Sequence, residues 1–153
     1  MVETSGDPMK AVEQMIALWN THNPEKVDEI YCTDYCGIDV TDNSVVDGPD
    51  GVVKQLSGYV RAFPDLIFKT EKAIRQDECV AVYWTARGTH QGSIWNIPPT
   101  GRQVQVQGMS LLTIENGKIK KNVSLWDMAG LLRSIGLLPE LRPRPPLDLS
   151  AWL

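Results

Sequence analysis

The run Gln103-Val104-Gln105-Val106-Gln107-Gly108-Met109-Ser110-Leu111-Leu112-Thr113-Ile114 decides the fold. Val104, Val106, Gly108, Ser110, Leu112 and Ile114 fall on one side of an extended chain. Gln103, Gln105, Gln107, Met109, Leu111 and Thr113 fall on the other. A period of two is the signature of a strand with one buried face. Just beyond it stands Asn116-Gly117, the strongest short hairpin signal. The returning strand, Lys118 to Trp126, places Asn122, Ser124 and Trp126 together. Upstream, Cys79 to Thr89 alternates in the same way, with Val80, Val82, Trp84 and Ala86 on one face. Leu66 to Arg75 reads as one more strand, and Gln76-Asp77-Glu78 as its turn.

The N-terminal half has the helical period instead. Asp7-Pro8 offers a cap and a first-turn proline, and Met9, Val12, Ile16 and Trp19 follow at helical spacing. This helix is expected to end near Thr21-His22-Asn23. Asn23-Pro24 starts a short second helix carrying Val27, Ile30 and Tyr31. A third follows Gly48-Pro49, with Val52, Leu56, Tyr59, Val60 and Phe63 on one side, and stops at Phe63-Pro64-Asp65. A short strand near Tyr35 to Thr41 is expected between helices two and three. Asp127 caps a last helix, Met128 to Ile135, which ends at Gly136. Helices segregated from a meander of strands predict an α+β fold, a curved, mostly antiparallel sheet covered by the N-terminal helices. Its mouth would form a small-molecule pocket.

The chain has 153 residues, 42% hydrophobic and 22% charged, with a net charge of -4. These values fit one globular domain and speak against a dominant nucleic-acid surface. No apolar run approaches the roughly 18 residues that span a bilayer, and Met1 to Lys10 shows no signal-peptide pattern. Cys32, Cys36 and Cys79 are odd in number and irregularly spaced, which fits free thiols in a reducing cytoplasm. With two histidines beside them, no metal site is expected. We place the domain at residues 1–136 and a proline-rich extension at 137–153. Leu141, Leu147, Leu149 and Trp152 are apolar enough for that extension to drape over its own domain, a second subunit or the pocket mouth.

Two groups could move a proton. His90, in Gly88-Thr89-His90-Gln91-Gly92, carries an imidazole that titrates near neutral pH. Asp39, in Tyr35-Cys36-Gly37-Ile38-Asp39, would be a general base if it faces apolar walls. His22 reads as a capping or surface residue, Asp42 as a turn residue and Asp127 as a cap. By strand parity, Trp84, Ser110, Asn122, Ser124 and Trp126 share one face. That face has aromatic walls and small polar groups, suited to a flat, oxygenated ligand. No phosphate-binding glycine loop, GxSxG elbow or HExxH pair is present.

Five strings together resemble the SnoaL-like polyketide cyclases. They are Phe63-Pro64-Asp65, Gly88-Thr89-His90-Gln91-Gly92, Ile97-Pro98-Pro99-Thr100-Gly101-Arg102, Asn116-Gly117-Lys118-Ile119, and Trp126-Asp127 with Gly130-Leu131-Leu132. The resemblance runs from about Met9 to Gly136. It implies the cone-shaped α+β barrel of the NTF2-like superfamily, usually a homodimer. It also implies metal-free and cofactor-free chemistry on a polyketide or similar small molecule. In those cyclases an aspartate on the last strand takes a proton beside a carbonyl, and the enolate closes a ring by an aldol reaction. Aligned on Asn116-Gly117-Lys118-Ile119, that aspartate falls at Ser124, and the histidine of the neighbouring strand falls at Ser110. A serine without an adjacent base does not accept protons near neutral pH. An enzyme of this kind would therefore use Asp39 or His90. The alternatives are a pocket protein that binds without catalysis, and an assembly module acting through its outer sheet face. On that outer face Gln103, Gln105 and Gln107 stand with Tyr83 and Arg87.

Overall fold

The computed structural model describes residues 6–140 and 148–151. Leu141, Leu147 and Trp152, on which the expected draping of the extension rests, lie outside the described residues. Helix α1, Pro8–Thr21, begins where the Asp7 carboxylate accepts the Met9 N–H at 3.0 Å. It ends at His22, whose left-handed backbone breaks the helix. The His22 ring donates from Nε2 to the Leu66 carbonyl at 2.7 Å, so it is a capping residue as read. A single 3-10 turn at Pro24–Lys26 runs into α2, Val27–Ile30. Strand β1, Tyr31–Asp39, and strand β2, Ser44–Asp47, come next. Helix α3 covers Gly48–Ala62. The meander follows as β3 Ile67–Gln76, β4 Cys79–Thr89, β5 Gln103–Glu115 and β6 Lys118–Trp126, and α4 closes the domain at Met128–Ser134.

The six strands form one sheet in the order β2-β1-β6-β5-β4-β3. All neighbours are antiparallel except β1 and β6, which run parallel. The fold is thus α+β, with a mixed, mostly antiparallel sheet. Two details differ from the sequence reading. Tyr31 opens β1 instead of closing the second helix, and its ring packs edge-on against Tyr35 at 4.8 Å. The expected turn at 41–44 is present, with Asp42 accepting the Ser44 N–H at 2.9 Å, but it leads into β2. Four residues at a sheet edge carry too few alternations to announce a strand.

The parity reading of the meander holds. Val80, Val82, Trp84, Ala86, Val104, Leu112 and Ile114 are buried on the inner face, and a register shift in the β5–β6 pairing brings Ile119 opposite Ile114 and buries it too. Helices α1, α3 and α4 pack on β3, β1 and β5. Phe63-Pro64-Asp65 and Gly88-Thr89 meet at one rim: Asp65 accepts the Thr89 N–H at 2.6 Å and the Thr89 hydroxyl at 2.7 Å.

Candidate active site

Strand register arranges the inner face in cross-strand rows. Trp84, Gly108 and Trp126 form one row across β4, β5 and β6. Ser110, Ser124 and Asp39 form the next, across β5, β6 and β1. Leu112, Asn122 and Gly37 form the third. Gly108 makes the first row possible. A Cβ there would lie 2.4 Å from Trp84 Cζ2 and 2.7 Å from Trp126 Cβ, far inside contact distance. The rows line a cavity of about 130 Å³ beneath α1 and α3. Its walls include Asp39, Trp84, Ser110, Asn122, Ser124 and Trp126. Six of the seven residues singled out from sequence therefore share one cavity.

Asp39 is only 6% exposed and tightly held. Its Oδ2 accepts the Trp126 indole N–H at 2.8 Å, and its Oδ1 accepts the Thr41 backbone N–H at 2.9 Å. Thr41 is in turn tied to Trp126, whose backbone N–H donates to the Thr41 hydroxyl oxygen at 2.9 Å. The Val40 N–H donates to the Ser124 carbonyl at 2.8 Å. Strand β1 is thereby locked against β6 where the carboxylate projects. Across the cavity, Trp84 donates from Nε1 to Ser110 Oγ at 3.0 Å, which fixes that ring as a wall. Asn122 Oδ1 is buried and has no hydrogen-bond partner among the described residues.

His90, fully buried, is not among the residues that line this cavity. It stands at the base of the loop between β4 and β5. Its Nδ1 accepts the Thr100 N–H at 3.2 Å and lies 3.0 Å from the Thr100 hydroxyl. Its own backbone closes the loop, with His90 N–H to the Arg102 carbonyl at 2.9 Å and Gly101 N–H to the His90 carbonyl at 2.8 Å. Phe63 packs against the ring at 5.4 Å. These contacts give His90 the place of a loop anchor, away from the Asp39 carboxylate.

The sequence reading passed over the tyrosines. Tyr31, Tyr35 and Tyr59 all line the cavity. Burial pushes the Tyr35 hydroxyl up to about 12, with the Asn122 side chain beside it pulling part of the way back. Burial first, then the negative charges of Asp39 and Asp42, push the Tyr59 hydroxyl well above the ordinary phenol range. Both are therefore protonated donors at neutral pH. Tyr59 was legible only as one member of an apolar helical stripe. A buried phenol needs a partner for its hydroxyl, and that requirement was the available signal.

A curated protein from Streptomyces nogalater, nogalonic acid methyl ester cyclase, is 30% identical over 125 residues, 80% of this chain and 92% of its own length. AclR of Streptomyces galilaeus, described as a candidate hydroxylase, superposes with a TM-score of 0.77 at 26% identity. That match covers 94% of this chain and 92% of AclR. A Catenulispora acidiphila protein of ketosteroid isomerase-like fold has a TM-score of 0.74 at 16% identity, covering 88% of this chain and 98% of its own. The SnoaL-like polyketide cyclase family profile matches residues 9–135. Sequence and fold agree over the whole domain that builds the cavity, and the chain belongs to the SnoaL-like polyketide cyclase family.

Proposed function

We propose that the protein is an acid–base enzyme that closes a ring in a flat, carbonyl-bearing polyketide-type molecule, with Asp39 as proton carrier. One observation carries this reading. Asp39 is the register partner of Ser124, the position where the aligned family aspartate falls. The carboxylate has moved one strand over, about 4.8 Å, and still faces the same cavity. Ser124 supplies only a small hydroxyl in that wall.

The chemistry needs proton transfers alone. Asp39 takes a proton from carbon beside a carbonyl, and the pair of electrons left behind forms an enolate. A neutral tyrosine hydroxyl, Tyr59 or Tyr35, donates to the enolate oxygen as charge develops there. The enolate carbon attacks a second carbonyl of the same molecule, making the new carbon–carbon bond. The resulting alkoxide recovers the proton from Asp39, so substrate and product are isomers. Trp84 and Trp126 supply flat walls, and Asn122 Oδ1 offers an acceptor for a ligand hydroxyl. His90 serves this reading as the anchor of the loop, not as the base.

We further propose that two copies pair through the outer sheet face. Val45, Ile38, Val123, Leu111, Ala81 and Ile74 form one register row across all six strands. Five of these six are exposed apolar side chains, Ala81 being half-buried. Met109 and Leu125 extend the patch, whereas the glutamine side of the face is polar, with Tyr83 donating to Gln107. Contiguous apolar surface of this kind marks interaction sites on folded proteins, which supports the pairing.

Incubation with nogalonic acid methyl ester in D₂O tests the reaction. The expected result is a ring-closed isomer of the ester, with deuterium entering the acidic carbon of the remaining ester where the enolate is reprotonated before it closes. Ester that binds yet neither isomerises nor exchanges would favour the binding-protein alternative.

A further inference from the structure

We propose that Trp95 is a specificity-determining residue that extends the binding site beyond the cavity and reads the length of a flat aromatic ligand. The proposal rests on the cavity being the ligand site, but not on any reaction there. Trp95 lies at the tip of the loop that His90 anchors. Ile94 and Ile97 exchange both backbone hydrogen bonds, at 3.1 and 2.7 Å, which leaves Trp95 and Asn96 as the two central residues of a tight turn. Both have left-handed backbones, with φ of 46° and 65°. Such a turn favours asparagine and glycine, and a bulky aromatic residue at its first central position is disfavoured. The backbone therefore gives no reason for a tryptophan there.

The side chain gives one. The Trp95 ring is 43% exposed and stacks on Trp126, with centroids 6.1 Å apart and planes 18° from parallel. Trp126 is the cavity wall that holds Asp39. Trp95 also borders a second, open groove of about 710 Å³, lined by β2, α3 and its own loop. Gln55 and Tyr59 line both spaces, so the groove and the cavity share a wall. The cavity, at about 130 Å³, is near the size that takes a single benzene ring. A ligand of two or three fused rings is larger than this space. On this proposal its remaining rings pass Tyr59 and meet Trp95 at the groove.

Calorimetric titration with two probes separates the compartments. 2-Hydroxyacetophenone, with one ring, fits the cavity alone, and 1,8-dihydroxyanthraquinone, with three, must reach the groove. The unaltered protein should bind the three-ring probe more tightly. Trp95→Asn should weaken it about five- to tenfold, leave the one-ring probe unchanged and keep or raise the melting temperature. Trp95→Phe should retain most of the three-ring affinity. Three results each overturn the proposal: no preference in the unaltered protein, equal losses for both probes, or no loss for either. A failure of the Asp39 chemistry would show in the deuterium experiment and leave these affinities untouched.

Discussion

Gly108 shows how narrowly single residues are chosen on the inner face. It lies between two tryptophans in one cross-strand row, and the space a methyl group would need is already filled. Gly108→Ala should therefore cost about 1–3 kcal/mol in chemical denaturation, through displacement of Trp84 or Trp126. An unchanged midpoint would mean that those rings have room to shift. The row itself was legible, because a period of two places alternate residues on one side whatever the fold. Asp39 was legible as a residue but not as a neighbour. Its adjacency to Ser124 comes from a parallel pairing between strands more than eighty residues apart in the chain. No local pattern encodes such a pairing, and a slip of one residue would have turned Asp39 outward. His90 illustrates the converse. Its parity with Trp84 is right, yet it stands one residue beyond β4 and turns to Thr100 instead of the cavity.

Among elements, one carboxylate helps to join α3 to β4. Asp65 follows α3 and accepts both donors of Thr89 at the end of β4. Those bonds hold its carboxyl below the usual range. A lowered folded value means stability that is fully present above the ordinary aspartate value near about 3.9. That stability is lost as pH falls through the lower, folded value. Comparing denaturation midpoints at about pH 6 and about pH 3 should show a smaller acid loss in Asp65→Asn than in the unaltered protein. Equal acid losses would place the acid-sensitive contact elsewhere. The motif strings Phe63-Pro64-Asp65 and Gly88-Thr89-His90 thus have a structural reason: they fasten a helix end to a strand end and set the base of the loop. The helix ends were readable because Asp7, Pro8 and Pro64 act locally. Strand β2 was not, since four residues gain their conformation only by pairing with β1.

At the scale of the whole molecule, the sheet has two faces with different tasks. The inner face makes the cavity, and the outer face carries the apolar row from Val45 to Ile74. Leu111 is near the middle of that row and exposed, so Leu111→Lys should leave the fold intact. Sedimentation should then show a dimer for the unaltered chain and a monomer for the variant; matching masses would remove this face as the interface. The outer alternation predicted exposure, and the sequence reading emphasised its glutamines. Only the register shows that the aliphatic residues are contiguous. The inner face bears the larger claim, that a carboxylate on β1 carries the proton in place of a family aspartate on β6. The most direct measurement is the rate of deuterium exchange at the acidic carbon of a bound substrate, compared between the unaltered protein and Asp39→Asn. With circular dichroism and ligand affinity preserved, the exchange rate should fall on the order of 100- to 10,000-fold. An Asp39→Asn protein that exchanges at the unaltered rate would contradict that claim.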